Sequence, residues 1–221
     1  MVKVVKSESK RKYNTSLRHE LAQVTRQRIL DAARRLLVKG SYSSVTMDDI
    51  AVEAGVAYQT VYSVFGTKLQ LAHAMIDSGL HVEGLDDLIA QSRESSDPEV
   101  GCRTGAQIVR RINEPCADLV RFMRESGDPD LLKRHHEMEA RRFSEVGFVP
   151  QRLESSGRLR PNLSASEAHD VIWAMSSPDW YIQLVFQRGW TPARYEQWLG
   201  DALINLLLQP NIAERSPRRA R

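Results

Sequence analysis

The sequence predicts an all-α protein. No segment sustains two-residue alternation, while apolar residues recur at three- and four-residue spacing through most of the chain. Gly and Pro interrupt those runs where a Ser, Thr or Asp stands ready to cap the next one. Of the 221 residues 42% are hydrophobic and 27% charged, the balance of a soluble globular chain. That length holds one large domain or two modest ones, with a core that needs no disulfide or metal staple.

Residues 1–15 are polar and basic without a period, which predicts a disordered arm, and 16–24 read as a helical lead-in. From Thr25 onward Ile29, Ala33 and Leu36/Leu37 form one apolar face, and Gly40 closes that helix behind Lys39. Thr46 is the expected N-cap of a second helix whose first turn holds Asp48 and Asp49, where negative charge is favourable. Gly55 stops it. A third helix is expected from Tyr58 to Val64, closed by Phe65 and Gly66, and Thr67 caps a fourth that begins at Lys68 and turns Leu71, Met75 and Ile76 inward.

Helical spacing continues downstream. Residues 99–126 read as one long helix that Pro115 should kink or divide. Asp128 and Pro129 open the next, running toward Phe143, with another over 144–156. After a connector at 157–162, Ser164 starts a helix through Val171, Ile172 and Met175. Ser177 and Pro178 begin a new or kinked helix through Trp180 to Arg188. Gly189 ends it, and Thr191 and Pro192 open a last helix carrying Trp198, Leu199, Leu203, Leu206 and Leu207 as far as Pro210.

The formal net charge is only +3, but it is an average over unlike parts. Residues 1–35 hold ten Lys/Arg against three acids, residues 211–221 four against one, and 36–210 a net −7. A basic leader and tail around an acidic body suggest an anionic partner at one end, or merely solvated ends. The start lacks the apolar segment of a signal peptide and nothing downstream approaches a membrane span, so a cytoplasmic protein with no membrane partner is expected. Cys102 and Cys116 are too few for a disulfide framework. On one helix they would lie about 21 Å apart, beyond bridging range.

Residues 46–65 combine a helix, a glycine-centred turn and a second short helix. This is the spacing of a helix-turn-helix, whose second helix enters a DNA major groove, although an ordinary helical hairpin has the same spacing. Val61 would face inward, leaving Tyr58, Gln59, Thr60, Tyr62 and Ser63 outward. Gln and Ser pair with base edges, while Tyr and Thr hydroxyls suit phosphate oxygens.

Residues 25–76, through the runs TRQRILDAA (25–33), TMDDIAVEAGV (46–56) and TVYSVFGTK (60–68), resemble the DNA-binding domain of the TetR family of transcriptional regulators. The stretches SSPDWY (176–181), QRGWTP (187–192) and YEQWL (195–199) resemble the effector-binding region of many such regulators. The resemblance implies an all-α homodimer that binds a pseudopalindromic operator, usually as a repressor released by a small ligand. It implies phosphate contacts from Thr46 and Lys68, base reading by Tyr58 and Gln59, and a backbone clamp at Tyr62. Ala57, Val64 and Leu69 depart from the family's usual Ser, His or Tyr, and Glu.

The expected organisation is a basic flexible arm (1–20), the helix-turn-helix domain (21–68), a helical effector-binding and dimerisation domain (69–210) and a basic tail (211–221). By the resemblance, the last two helices pair across a dimer axis, and the apolar face Leu199, Leu203, Leu206 and Leu207 suits that role. An apolar or aromatic effector would draw on Phe122, Met123, Met138, Phe143, Trp173 and Trp180, residue types that line adaptable pockets and ordinary cores alike.

Two other classes compete. An enzyme is disfavoured: His135 and His136 point about 100° apart on a helix, and no nucleotide-binding glycine loop or Gly-x-Ser-x-Gly is present. No catalytic residue, metal or cofactor is therefore expected. A helical protein-interaction module would leave the outward Tyr58, Gln59 and Tyr62 and the basic arm unexplained. A DNA-binding regulator that needs no ligand stays open beside the ligand-released repressor.

Overall fold

The computed structural model describes residues 9–210 except 81 and 95, and at 9–15 and 148 the backbone only. Among the described residues the regular structure is helical apart from one isolated antiparallel bridge, Leu159 to Leu208. It divides into two compact units, Met1–Gly79 with Ser126–Asp128, and Leu80–Glu125 with Pro129–Arg221. The fourth helix thus groups with the first unit, beyond the boundary at 68 expected from sequence.

In the first unit α1 spans Ser9–Lys39, α2 Met47–Ala54, α3 Tyr58–Phe65 and α4 Lys68–Gly79. The core face of α1 is Ile29, Ala32, Ala33 and Leu37, which are buried with Ile50, Val61, Leu71 and Ile76 from the three other helices. The helix begins sixteen residues before Thr25, so 9–20, expected as part of a flexible arm, are helical. The rest of that arm, residues 1–8, and the basic tail 211–221 lie outside the described residues. Residues 16–24 are exposed throughout, Leu17, Leu21 and Val24 included. On the 100° helical progression these three share one side of α1, off the centre of its core face, with Leu21 nearly in line with Ala32.

The second unit holds α5 (Leu85–Glu94), α6 (Pro98–Glu125), α7 (Pro129–Glu145), α8 (Phe148–Ser155), α9 (Ala165–Met175), α10 (Pro178–Tyr181) and α11 (Pro192–Leu207). A six-residue π-helix, Ile182–Gln187, follows α10 directly. Helix α6 runs unbroken through Pro115, where a kink or division was expected. Tyr195, Leu199, Leu203 and Leu207 of α11 are buried in one cluster with Cys102, Ala106 and Ala117 of α6 and Ile172 of α9. The apolar face of α11 thus packs within its own chain, which corrects its expected use in dimerisation. Of the four leucines proposed for that role only Leu206 is exposed.

Both cysteines are free and buried on α6, and burial pushes the Cys102 thiol up to about 12. Among the described residues no helix is long and apolar enough to cross a membrane, and no three His, Cys, Asp or Glu side chains converge on a metal-sized site.

Candidate nucleic-acid interface

The first unit places its outward residues through a chain of local constraints. Thr46 closes a capping box: its hydroxyl accepts from the Asp49 N–H at 3.1 Å, and its own N–H donates to the Asp49 carboxylate at 2.8 Å. The Thr46 hydroxyl also donates to that carboxylate oxygen at 2.7 Å. The residue expected to meet phosphate therefore has its proton committed to a neighbouring acid. These bonds, the side-chain one first, hold the Asp49 carboxyl below its ordinary range.

Helix α2 ends at Gly55 with φ of +64°, a left-handed conformation that closes the turn without strain only for glycine. Val56 N–H donates to Ala51 O at 3.0 Å across the turn. Helix α3 then starts from Ala57 with no side-chain cap, as the replacement of the family's serine implied. Its inward residues are Val61 and Phe65. Opposite them Gln59 and Ser63 are exposed, Gln59 with no side-chain bond among the described residues and Ser63 donating back to Thr60 O at 3.0 Å. Tyr58 and Tyr62, 43% and 55% exposed, stack along one flank with ring centres 6.4 Å apart. Thr60 is half-buried, and Val64, on the other flank, is exposed.

Helix α4 begins with a second reciprocal cap, Thr67 to Gln70, at 3.1 Å in each direction. Lys68 in its first turn is half-buried, and its ammonium donates to Tyr42 O at 2.7 Å and Val45 O at 3.0 Å. Two of its three protons are thus taken by the loop before α2. Three cations of α1 are similarly engaged. Arg28 donates to Ala54 O at 2.6 Å, Arg35 pairs with Glu53 at 2.7 Å, and the Arg26 guanidinium lies 4.6 Å from the centre of the Phe65 ring. The basic excess counted as an attraction for an anionic partner is in part the internal bracing of the unit. Neither Tyr42 nor Arg28 was singled out from the sequence. Their roles depend on partners 26 residues away, for which no local pattern gives a signal.

The family model described as "Bacterial regulatory proteins, tetR family" matches residues 29–75, the span that carries this geometry. This segment of the chain is similar to the DNA-binding part of that family. The chain is 27% identical over 191 residues to the regulator SrpR of Pseudomonas putida, covering 86% of this chain and 70% of that protein. It is 39% identical over 85 residues to the regulator TtgR, also of Pseudomonas putida, covering 38% of this chain and 39% of the relative. Among solved structures, NalD, the secondary repressor of the MexAB-OprM multidrug efflux pump in Pseudomonas aeruginosa, superposes with a TM-score of 0.63 at 22% identity, over 87% of this chain and 100% of that one. FadR of Bacillus subtilis, solved with stearoyl-CoA, superposes at 0.61 and 16% identity, over 81% of this chain and 98% of that one. These likenesses to solved structures bear on the fold. The family match and the curated relatives, which are regulators, are what support a DNA-binding transcription regulator rather than an enzyme.

The six residues expected around an effector lie on α6, α7, α9 and α10. Phe143 and Trp173 do meet, edge to face at 5.9 Å, with Phe143 also stacked on His169 at 4.1 Å. Arg142 lies 5.0 Å from the centre of the Trp173 ring and donates to Trp173 O and to Ser176 Oγ, the latter at 2.7 Å. Trp180 is tilted against Trp198 at 5.9 Å. Phe122 and Met123 are buried on α6, and Met138 is half-buried on α7. Two surface grooves, of about 440 and 470 Å³, are lined by other residues. The first runs along α11 past Trp190, Arg194, Trp198 and Asp201, and the second lies beside Asp87, Gln91, Glu94 and Arg111. His135, from the His-His pair, has its pKa lowered chiefly by burial, and its Nδ1 is sealed without a partner among the described residues.

Proposed function

We propose that this protein is a homodimeric repressor that binds a pseudopalindromic operator through α3 and is released by a small apolar or aromatic ligand. The observation that carries the DNA reading is the outward face of α3, where Gln59 stands without a side-chain bond beside the stacked Tyr58 and Tyr62. Gln59 reads base edges. Ser63 pairs with a base edge as well, Tyr62 and Thr60 supply hydroxyls to phosphate, and the third ammonium proton of Lys68 is left for the same backbone. NalD is described as a repressor, which supports repression as the mode.

The dimer face in this reading is the second side of α11. The groove past Trp190, Arg194 and Trp198 supports this, because that side of α11 remains after Tyr195, Leu199, Leu203 and Leu207 have packed inward. Ligand release is supported by FadR having been solved with an acyl-CoA. In this chain it is assigned to the half-exposed aromatic group of Phe143 and Trp173.

The test is selection of duplexes from a randomised pool by the purified full chain, followed by fluorescence anisotropy over a salt series. Recovery of a two-fold-symmetric site bound with a steep salt dependence is the expected result. Retention of no duplex even at low salt would overturn the assignment. Titrating the selected complex with a library of aromatic compounds separates the ligand-released repressor from one that needs no ligand.

A further inference from the structure

Arg28 lies on α1, outside the helix-turn-helix, yet its guanidinium reaches the joint between α2 and α3. Its Nη2 donates to Ala54 O at 2.6 Å and to Gly55 O at 3.4 Å. Ala54 is the last residue of α2, and Gly55 is the left-handed residue that redirects the chain. A helix C-terminus leaves its last carbonyls without intrahelical partners and carries partial negative charge, so a guanidinium there is favoured on both counts.

A second observation bears on the same contact. A Cβ on Gly55 would lie 3.0 Å from Arg28 Nη2, tighter than ordinary packing. Glycine at this turn therefore satisfies two demands: a positive φ, and room for the arginine of another helix. The far end of the recognition helix is braced from the same source, because Arg26 covers the ring of Phe65, the last residue of α3.

We infer that Arg28 is a positioning residue for α3: by holding the carbonyls at the end of α2 it fixes the direction in which the recognition helix leaves the turn. This rests on α3 being the reader of DNA, and it goes beyond that reading by separating two kinds of arginine. A phosphate-contacting arginine contributes to affinity for any duplex and to the salt dependence. A positioning arginine contributes to discrimination, since base contacts depend on the placement of the helix while charge attraction does not.

The experiment compares wild type, Arg28→Met and Arg28→Lys on two duplexes: the site that the wild-type chain selects from a randomised pool, and a scrambled duplex of the same composition. Anisotropy is read over a salt series, and folding is followed by thermal unfolding. Arg28→Met is expected to weaken the selected duplex about tenfold or more while scrambled binding and the salt slope stay at wild-type values. Arg28→Lys, which keeps the charge and can still donate to one carbonyl, is expected to fall between the two. If Met weakens both duplexes alike and lowers the slope by about one, Arg28 is a phosphate contact and the inference fails. It also fails if discrimination is unchanged. Should the Met variant not fold, Lys alone decides, because an unaltered ratio of selected to scrambled binding in that variant refutes the positioning role. Failure of the wild-type chain to bind any duplex would refute the DNA reading itself, and the inference with it.

Discussion

The Lys68 ammonium lies 4.4 Å from the centre of the Tyr42 ring and donates to the backbone carbonyl of the same residue at 2.7 Å. One side chain thus fastens the loop that precedes α2 while standing in the first turn of α4, where phosphate contact is proposed.

The two roles of Lys68 separate by substitution. Lys68→Ala should weaken binding to every duplex and reduce the slope of log affinity against log salt by about one. Tyr42→Leu should keep that slope and lose about 0.5–1 kcal/mol of unfolding free energy, the size of an exposed cation–π contact. Anisotropy and denaturant unfolding measure these. A Lys68→Ala variant with wild-type affinity and slope would remove this residue from the interface.

The capping box makes stability depend on pH in a stated direction. The Thr46 hydroxyl, and next its N–H, hold the Asp49 carboxyl below its ordinary value of 3.8. A depressed folded-state pKa gives stability that is fully present above the unfolded value and lost as pH falls through the lower folded one. The loss from this site therefore begins below about pH 4. Glu167, held by Ser164 in the same way at the start of α9, behaves alike. Following the carboxyl carbons by NMR, Thr46→Ala should move the Asp49 midpoint upward and leave Glu167 where it is. An unmoved Asp49 midpoint would contradict the assignment.

The two faces of α11 should respond differently. Leu199 is fully buried, and Leu199→Ala should cost about 2–5 kcal/mol by loss of packing and the cavity left behind. Leu206 is 46% exposed, and Leu206→Ala should change monomer stability by less than about 0.5 kcal/mol. If the groove beside Arg194 is the dimer face, Arg194→Glu should weaken self-association about tenfold in sedimentation velocity, since buried charges at interfaces are sensitive to reversal. Unchanged association would move the dimer face elsewhere.

Neither cysteine should react in the folded protein. With the Cys102 thiol near 12 and both side chains buried, alkylation at about pH 8 should modify neither until denaturant opens the second unit. Rapid labelling of native protein would show that α6 opens locally.

Short-range features were legible in the sequence because their chemistry is short-range. Thr46 as a cap before Asp48 and Asp49, Ser164 as a helix start, and Pro178 and Pro192 at first helical positions all act within one turn, and each occurs where expected. Gly55 was readable for the same reason. What spacing could not supply was the partner of a face or of a charge. Leu199, Leu203 and Leu207 form an apolar stripe whether they meet α6 or a second chain, and only the fold decides for α6. The outward residues of α3 could be named, but the commitments of Lys68 and Arg28 could not, since both reach across 23 or more residues. Helix α5 was not picked out, because its apolar spacing at Leu85, Leu88 and Ile89 covers little more than one turn and only Leu88 is buried. Pro115 misled in the other direction: α6 absorbs it, and the neighbouring Cys116 thiol donates to Ile112 O at 2.8 Å.

The π-helix at Ile182–Gln187 has its own consequence. Such a turn holds one residue more than an α-turn of the same rise. This stretch is therefore a place where chain length is adjustable: removing one residue would tighten it to α geometry and leave both ends joined. The segment between Tyr181 and Gly189 should tolerate a single-residue deletion that would be ruinous in α6 or α11, where every later side chain would turn by about 100° away from its core.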